Sequence, residues 1–585
     1  MDTLIKPYGG NLINLVCDSE VGAQLKSESQ DYVSITLTQR QLCDLELLMN
    51  GALSPLTGFM SSAEYDSVVR DLRLPGGLLW SLPVTLDVNK DIIKKIQVES
   101  KLALLDPEGF MLAVLHVEDI WKPDKLLEAE NVYGTTSLVH PGVSYLLEQS
   151  NDYYVGGRVE GVQLPIHYDF ETLRDTPEEL RRLFEKSGWR KVVAFGTSRP
   201  MHRIHREITL SAAKDVGAHI LIHPVVGLSK PGDLKYFTRV QCYKEILKYY
   251  PKHMVLLSLL PSAMRMAGPR EAIHNAIIRQ NYGCSHIIIG PEHAAPPNVR
   301  QGGERFYEQF SSQKIIDKYQ DELEIKMVSV PEQRYVKSKN KFLSLDAIKE
   351  NKLSGCLFKD EELYSSLESG LPVPDWFTFP EVVDRLKTIC KPRSMAGLTL
   401  FFTGLSGSGK STLAKILYAR FIEDSMRPVT LLDGDVVRLH LSSELGFSKE
   451  HRDINVKRIG YVASVINQNC GIAICAPIAP YEAVRKYVRE LNDQYGSFIE
   501  VHVSTPLEVC EQRDRKGLYA KARRGELKQF TGISDPYEEP KDPEIRIDTS
   551  LMTPIAAAEE IMLYLFREGF IGSCDTTLTG DNLCG

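Results

Sequence analysis

The sequence lacks both a long apolar run and an excess of basic charge. Of its 585 residues, 69 are Lys or Arg and 77 are Asp or Glu, which gives a formal net charge of -8. No run approaches the roughly 18 apolar residues that a membrane helix needs, and the N-terminus lacks the apolar core of a signal peptide. We therefore expect a cytoplasmic protein with no general affinity for nucleic acid or membranes, whose anionic ligands bind at local sites.

The sequence also lacks repeats, low-complexity tracts and paired cysteines. Its 11 cysteines show no metal-binding spacing, and a chain of this length needs no disulfides for stability. At roughly 100–200 residues per domain, the length predicts several domains, and a hydrophobic content of 43% supplies several cores. An ordinary multidomain globular protein is expected.

The apolar pattern divides the chain into regions of different structure. Residues 1–165 alternate short strand-like runs with turns, which predicts a β-rich domain. From Val192 onward, the runs 192–195, 219–223 and 286–290 are typical of buried parallel strands separated by helices, the pattern of an α/β sheet. The polar joint at 391–394 precedes a further strand candidate at 398–402, which indicates a new domain.

A phosphate-binding loop follows that strand. Residues 404–411 read GLSGSGKS, which matches G-x-x-x-x-G-K-[ST] between a predicted strand and a predicted helix. In such a loop the glycines turn backbone N–H groups toward phosphate oxygens, Lys410 supplies positive charge, and Ser411 reaches Mg²⁺. The candidate ATP-binding residues are Gly404, Leu405, Ser406, Gly407, Ser408, Gly409, Lys410, Ser411 and Thr412. The expected cofactor is Mg²⁺ with ATP.

Two further features indicate a kinase. The strand-like run 429–432 ends in Asp433, and an aspartate at the carboxyl end of a strand can orient or deprotonate a hydroxyl acceptor. Taken alone, the same residues are equally typical of a solvated turn. Residues 510–528 carry seven basic and three acidic residues, with Gly517 and Gly525 as breaks. We interpret this segment as a lid, although such a charge run is often only a solvated helix face.

Together these motifs resemble adenylylsulfate (APS) kinase from about Leu398 to Phe570. The matching segments are GLSGSGKST at 404–412, LLDGD at 431–435, SSELGFS at 442–448, KGLYAKARRGE at 516–526 and FTGISDPYE at 530–538. The resemblance implies phosphorylation of the 3′-hydroxyl of APS by ATP, which gives PAPS. It implies catalytic roles for Asp433 and Lys410, with Ser411 toward the metal. The implied APS-binding residues are Asp435, Arg438, Phe447, Arg452, Asn455, Ile478, Ala479, Pro480, Lys516 and Phe530, with Phe447 and Phe530 on the two faces of the adenine.

The first two-thirds of the chain resemble ATP sulfurylase over roughly residues 1–390. The matching segments are TQRQLCDLE at 38–46, SPLTGFM at 54–60, LIHPVVGLSKPGD at 221–233 and MRMAGPRE at 264–271. The family's active-site motif Gln-Thr-Arg-Asn-Pro-x-His-x-x-His reads here Gly196-Thr-Ser-Arg-Pro-Met-His-Arg-Ile-His205. Its second motif, Gly-Arg-Asp-His-Ala-Gly-Pro, reads GPEHAAP at 290–296. The implied nucleotide-site residues are Thr197, His202, His205, His293 and Ala294.

These changes remove the sulfate-side residues of the family. Gly196 replaces the Gln, Ser198 the first Arg, Arg199 the Asn, and Pro291 the second Arg. Losing two charge-assisted contacts costs roughly 3–6 kcal/mol, or about 10²- to 10⁴-fold in binding. Arg199 is poorly placed to compensate, because adjacent residues of an extended segment point to opposite faces. Sulfate activation is therefore expected to be severely weakened.

Three hypotheses follow for the whole chain. The first is an APS kinase with a degenerate sulfurylase-like scaffold or regulatory module. The second is a bifunctional PAPS synthase in which another basic side chain replaces the lost arginines. The third is a nucleotidyltransferase half with another acceptor. A purely nucleotide-sensing C-terminal half is a further alternative, which the complete phosphate loop and Asp433 disfavour.

The resemblances predict an α/β multidomain fold whose domains follow the order of the motifs along the chain. We expect a β-rich PUA-like domain at 1–168, a Rossmann-like nucleotidyltransferase domain at 169–330, a small third domain at 331–394, a P-loop kinase domain at 395–573 and a disordered tail at 574–585. The expected partners are ATP, APS and further copies of the chain in a homo-oligomer.

Overall fold

The structure is a computed structural model that describes most of the chain. The described residues are 4–228, 234–297, 299, 303–424, 427–446, 448–514, 517–527 and 529–572. The predicted tail at 574–585 lies outside them. Within them, no helix has the length and apolar character to cross a membrane. The chain divides into two compact units, one of residues 1–359 and 373–386 and the other of residues 360–372 and 387–585.

The first unit begins with a mixed sheet of six strands, as expected for a β-rich domain. Its strands are β1 (Val33–Thr36), β2 (Gly58–Phe59), β3 (Leu86–Val88), β4 (Lys101–Leu105), β5 (Met111–Trp121) and β6 (Tyr153–Gly161). They run in the order β1-β4-β5-β6-β2, with β3 also paired to β6. The helices are α1 (Ser19–Glu28), α2 (Gln39–Met49), α3 (Ser62–Asp71), α4 (Lys90–Ile93), α5 (Lys125–Tyr133) and α6 (Pro141–Ser144).

A second, parallel sheet of five strands follows in the same unit. Its strands are β7 (Val192–Phe195), β8 (His219–Ile222), β9 (Val255–Leu257), β10 (His286–Ile289) and β11 (Lys326–Ser329), in the order β11-β10-β7-β8-β9. The helices are α7 (Pro177–Lys186), α8 (Arg203–Val216), α9 (Tyr236–Ile246), α10 (Pro269–Asn281) and α11 (Ser311–Lys318). Three of these strands contain the runs predicted from the sequence. The order brings the ends of β7, β8 and β10 to one edge, where ligands bind in open α/β sheets.

The short segment after this sheet is divided between the two units. It contains the antiparallel pair β12 (Gln333–Val336) and β13 (Lys341–Ser344), followed by α12 (Leu345–Glu350), α13 (Asp360–Glu368) and α14 (Pro380–Lys387). Residues 360–372, which include α13, belong to the second unit. The third-domain boundaries of 331–394 stay a prediction.

The second unit contains a parallel sheet of five strands. They are β14 (Gly397–Thr403), β15 (Val429–Asp433), β16 (Ile472–Ala476), β17 (Gly496–Val503) and β18 (Ile545–Ile547), in the order β15-β16-β14-β17-β18. The helices are α15 (Lys410–Asp424), α16 (Gly434–Leu441), α17 (Lys449–Gln468), α18 (Glu482–Asp493), α19 (Leu507–Gln512), α20 (Leu518–Arg523) and α21 (Pro554–Arg567).

The central strand β14 is buried on both faces, as a parallel sheet requires. Leu398, Leu400 and Phe402 pack in one apolar cluster with side chains of α15 and α21. Phe401 points to the opposite face and packs with side chains of α17 and α18. This alternation along the strand explains why residues 398–402 are apolar apart from Thr399, whose hydroxyl donates to the side-chain oxygen of Asn492 at 3.1 Å. It also fixes the end of β14, where the phosphate loop begins.

We predict that Gly157→Ala destabilises the first unit by about 2–4 kcal/mol, because it adds backbone strain and a steric clash. Gly157 has φ +151, and a Cβ there would lie 1.9 Å from the carbonyl oxygen of His116. The measurement is urea unfolding followed by tryptophan fluorescence, since Trp80, Trp121, Trp189 and Trp376, the four tryptophans of the chain, all lie in this unit.

The matched control is Gly109→Ala. Gly109 also has a positive φ, +89, but a Cβ there meets no atom within 4 Å. It should lose only about 1 kcal/mol from strain. Equal losses in the two variants would contradict the close packing of β5 against β6.

Candidate functional site

The phosphate loop connects β14 to α15 through a backbone path that requires glycine. Gly404 has φ +146 and Gly407 has φ +77. A Cβ on Gly404 would lie 2.5 Å from the carbonyl oxygen of Val503, and one on Gly407 would lie 2.9 Å from that of Cys510. Side chains at these two positions would therefore push the loop away from β17 and α19.

Two threonines, one after β17 and one after β18, form hydrogen bonds to the phosphate loop. The hydroxyls of Thr549 and Thr505 donate to the carbonyl oxygen of Ser408 at 2.8 and 3.1 Å. The Tyr519 hydroxyl, on α20, donates to the carbonyl oxygen of Ser406 at 2.8 Å. Because these contacts come from different segments, the loop shape is fixed by the fold of the whole unit.

Lys410 lies at the mouth of this loop, and its side chain is almost fully buried. Its ammonium donates to the carbonyl oxygens of Gly404 and Leu405 at 2.9 and 2.7 Å. Ser411 and Thr412 follow in the first turn of α15, and both are exposed. The loop thus combines a fixed positive charge with a hydroxyl at a helix N-terminus, an arrangement suited to phosphate oxygens and Mg²⁺.

Asp433 ends β15 at the same edge of the sheet. Its carboxylate accepts a hydrogen bond of 3.0 Å from the backbone N–H of Asp435 and thereby caps α16. Strand β15 is two positions from β14 in the sheet, a separation of roughly 10 Å at the usual strand spacing. Asp433 is partly exposed, and Asp435 is exposed beside it.

Two arginines lie near this carboxyl edge. Arg438 donates to the carbonyl oxygens of Leu445 and Gly446 at 3.2 and 2.8 Å. Burial lowers the pKa of the Arg438 guanidinium, a direction that nearby Arg452 reinforces and Asp435 opposes. Arg438 nevertheless stays charged at neutral pH, since an arginine pKa starts far above 7.

Arg452 is buried on α17 and contacts three side chains from other segments. It donates to the Thr531 hydroxyl at 2.5 Å, to the Tyr481 hydroxyl at 3.0 Å and to the Asp535 carboxylate. Asn455, one turn later, is also buried, and its Oδ1 has no hydrogen-bond partner among the described residues. The two side chains share a face of α17.

Of the other predicted APS-binding residues, some contact neighbouring segments and two lie outside the described residues. The carbonyl oxygens of Ile478 and Ala479 accept from the Thr403 hydroxyl at 2.8 and 3.1 Å, which ties the segment after β16 to the end of β14. Pro480 accepts from the backbone of Glu538. Phe530 lies edge-on to Tyr519, with ring centroids 5.1 Å apart. Phe447 and Lys516 lie outside the described residues, so the adenine sandwich stays a prediction.

A cavity of about 590 Å³ borders the phosphate loop at Leu405 but includes none of residues 406–411. Its other walls are residues 502–507 and 532–537 with Glu539. Burial lowers the pKa of His502 in its wall to about 4, so that imidazole is neutral. The cavity lining contains carboxylates but no Lys or Arg, which suits it poorly to a phosphate.

In the first unit, the histidine pair lies where α8 begins. His202 is the N-cap, and its ring contacts the Thr378 hydroxyl at 2.9 Å. His205 accepts from the backbone N–H of His202 through Nδ1 at 2.9 Å. The ring centroids are 5.7 Å apart. One nitrogen of His205 is thus used for capping the helix.

Buried Arg279 occupies the space that a side chain at position 196 would need. A Cβ on Gly196 would lie 2.5 Å from an Nη of Arg279. The guanidinium also donates to the side chain of Asn275 at 2.8 Å, and burial lowers the pKa of Arg279 to about 10. His223 is fully buried nearby, and this burial together with the Arg279 charge places its pKa well below the ordinary value. A longer side chain at 196 would have to displace Arg279.

The next two residues differ in burial. Ser198 is buried, and its carbonyl oxygen accepts from Arg239 at 2.8 Å, whereas Arg199 is exposed. The Thr197 hydroxyl accepts from the backbone N–H of Arg199 at 3.1 Å and closes a local turn. The segment therefore bends at Ser198 and Arg199 and is not extended as predicted from the sequence, although Ser198 is buried and Arg199 exposed.

The second altered motif follows β10. The ring of His293 contacts the side-chain amide of Asn275 at 3.2 Å. Ala294 has φ +57, and its carbonyl oxygen accepts from the backbone of Gly268. Asn275 thus contacts both Arg279 and His293, which links the two motifs through α10.

Comparisons with known proteins cover the whole of this architecture. Residues 5–164 match the PUA-like domain family, residues 171–389 the ATP-sulfurylase family and residues 396–548 the adenylylsulphate kinase family. A sulfate adenylyltransferase of Chaetomium globosum is 46% identical over 569 residues, which cover 97% of this chain and 99% of that protein. The chain belongs to the fused ATP sulfurylase and APS kinase family.

Other similar proteins align with almost the whole chain. A sulfate adenylyltransferase of Yarrowia lipolytica is 45% identical over 575 residues, 97% of this chain and 99% of its own length. A solved structure described as a hexameric APS kinase from Thiobacillus denitrificans aligns with a TM-score of 0.80 and 37% identity, covering 97% of this chain and 100% of that one. The fused fold expected from the sequence is thus confirmed.

Several residues of the candidate site in the kinase domain of this fused protein were missed from the sequence. Thr505, Thr549 and Tyr519 hold the phosphate loop, and Tyr481 and Asp535 hold Arg452. Asp535 stands within the segment FTGISDPYE, so that motif was a usable signal. Nothing in the local sequence marks Thr505 or Thr549.

We predict that Gly196→Ala lowers the unfolding free energy of the sulfurylase-like unit by about 1–3 kcal/mol, because the added Cβ overpacks against buried Arg279. Tryptophan fluorescence in urea measures the loss. Gly290→Ala is the matched control, since a Cβ there meets no atom within 4 Å, and it should be nearly neutral. An equal loss at Gly290, or none at Gly196, would show that Arg279 does not fill this space.

Proposed function

We propose that this protein is an adenylylsulfate kinase that transfers the γ-phosphoryl group of ATP to the 3′-hydroxyl of APS and produces PAPS. The observation that carries the proposal is the common edge of one parallel sheet. The phosphate loop after β14, Asp433 at the end of β15 and buried Arg452 on α17 belong to one unit. This combination offers a donor site, an acceptor base and an anion receptor.

ATP would bind through the loop residues 404–412, with their backbone N–H groups and Lys410 toward the phosphates. Ser411 would hold Mg²⁺ together with phosphate oxygens, a donor set that suits this ion. Bound Mg²⁺ would neutralise the charge that develops on the β- and γ-phosphate oxygens. Lys410 has first to exchange its carbonyl contacts with Gly404 and Leu405 for phosphate oxygens.

APS would bind on the β15 side. Arg438, Arg452 and Asn455 would hold the ribose and phosphosulfate, with Asp435, Phe447, Ile478, Ala479, Pro480, Lys516 and Phe530 completing the site. Asp433 would accept the 3′-hydroxyl proton as the 3′-oxygen attacks the γ-phosphorus. The bond from that phosphorus to the β–γ bridging oxygen breaks, and ADP leaves.

We further propose that the sulfurylase-like unit is impaired in sulfate adenylylation. Neither Ser198 nor Pro291 can supply the guanidinium that the family resemblance implies there. The space at Gly196 is filled by Arg279, and Arg199 lies exposed while Ser198 is buried. The full-length neighbour from Thiobacillus denitrificans, described as an APS kinase, supports this proposal. Its description as hexameric supports a homo-oligomer.

A bifunctional PAPS synthase is the second candidate. It is favoured by the full-length relatives that carry the name sulfate adenylyltransferase and by the retained His202 and His205. A nucleotidyltransferase half with another acceptor is a third candidate and is favoured by the same histidines. Assays with sulfate and with APS on one preparation separate the first two candidates.

We predict that Lys410→Ala lowers kcat/KM for PAPS formation by at least about 10²- to 10³-fold, because it removes a positive charge placed for phosphate oxygens. The measurement is ADP release from ATP with APS, together with chromatographic detection of PAPS. Lys415→Ala is the control, since Lys415 is exposed on the same helix, and it should keep full activity. Persistence of PAPS formation in Lys410→Ala would show that the loop is not the donor site.

We predict that sulfate-dependent pyrophosphate release from ATP is about 10²- to 10⁴-fold less efficient, as kcat/KM for sulfate, than in a relative with both arginines. Coupled pyrophosphatase measures it on the preparation that is also assayed with APS. The APS-dependent reaction is the internal control for folded protein. Comparable efficiency with sulfate would establish the bifunctional candidate instead.

A further inference from the structure

The contacts of Arg452 join three separate parts of the kinase domain. Arg452 lies in the first turns of α17, Tyr481 precedes α18, and Thr531 and Asp535 follow α20. The Arg452 guanidinium donates to all three partners. The Tyr481 hydroxyl also donates to the Asp535 carboxylate. We call these four residues the Arg452 clasp.

The clasp engages the two terminal nitrogens of the Arg452 guanidinium but not its Nε. Both terminal nitrogens are engaged, whereas Nε is buried and has no hydrogen-bond partner among the described residues. On the same face of α17, Oδ1 of Asn455 is buried in the same condition. A buried donor and a buried acceptor without partners are costly unless a ligand uses them. This pair suits a ligand that offers both an anionic oxygen and a hydroxyl.

Each of the two arginines of the site has a carboxylate nearby: Asp435 for Arg438 and Asp535 for Arg452. Arg438 and Arg452 lie close enough that Arg452 contributes to lowering the pKa of Arg438, while Asp435 has the opposite effect. Asp535 forms an ion pair with Arg452, and both side chains are largely buried. Without a fixed carboxylate, repulsion by the second cation and the rotamer freedom of the long side chain would favour conformations of Arg452 that point away from Arg438.

We infer that Asp535, together with Tyr481, is a positioning residue that holds Arg452 ready for the anionic end of APS. This inference rests on the kinase function proposed above. Asp535 acts through Arg452 and does not touch the reacting atoms. The role predicts an effect on the binding of APS and little effect on ATP or on the chemical step.

The test compares Asp535→Ala and Asp535→Asn with the wild-type chain. Each should raise KM for APS about ten- to a hundredfold, the factor that corresponds to one charge-assisted hydrogen bond. The values of kcat and of KM for ATP should change less than about twofold, because the phosphate loop is untouched. Asp542→Asn is the control, since Asp542 is exposed in the same segment, and its constants should match the wild type.

A double-mutant cycle separates positioning from a structural role. In an Arg452→Ala background, Asp535→Ala should produce no further rise in KM for APS, because the residue through which it acts is gone. Tyr481→Phe should give a smaller rise, because it removes one hydroxyl and keeps the ring on which the Lys449 ammonium lies, 4.5 Å from its centroid. The isosteric Asp535→Asn variant covers the case in which Asp535→Ala does not fold.

Three outcomes would overturn the inference. They are an unchanged or lower KM for APS in Asp535→Asn, an equal rise in KM for ATP, or full additivity with Arg452→Ala. Each leaves the kinase function intact if the wild type makes PAPS. If the wild type makes no PAPS, the proposed function fails. Calorimetric titration of APS into the same variants still measures whether the Arg452 clasp contributes to APS binding. A wild type that does not bind APS would overturn both.

Discussion

The path of the backbone from Gly404 to Lys410 is the constraint on which the kinase domain depends. It needs left-handed glycine conformations, and it needs β17 and α19 close enough that Gly404 and Gly407 admit no side chain. The threonines after β17 and β18 then hold the loop from below. The sheet order places Asp433 two strands away from the loop, so one sheet sets the separation of the two.

The sulfurylase-like unit shows the same principle with the opposite result. Its strand ends still meet at one edge, and α10 still joins the two motif segments through Asn275. The altered positions now contact buried arginine side chains of the fold, however. Arg279 fills the space beside Gly196, and Arg239 binds the carbonyl oxygen of Ser198. Buried arginines now contact the segment in which the family motif has its first sulfate-side arginine.

Local sequence was sufficient for the fold class, for the phosphate-loop motif between a strand and a helix, and for the five strands β7, β8, β10, β14 and β15, because each depends on a short run of residues. It was not sufficient for contacts between distant segments. Asp535 lies 83 residues after Arg452, and no periodicity relates the two. The absence of a side chain at Gly196 was visible, but the arrival of Arg279 in its place was not. The assignment of α13 to the second unit depends likewise on packing.

The proposed function requires that this chain phosphorylate APS but not form it efficiently. The most direct measurement supplies the purified protein with ATP, Mg²⁺, pyrophosphatase and radiolabelled sulfate, and follows label in PAPS. We expect little labelled PAPS from the chain alone and rapid labelling once a separate, active ATP sulfurylase is added. Rapid labelling by the chain alone would contradict it, and no labelling even with the added enzyme would contradict the kinase assignment.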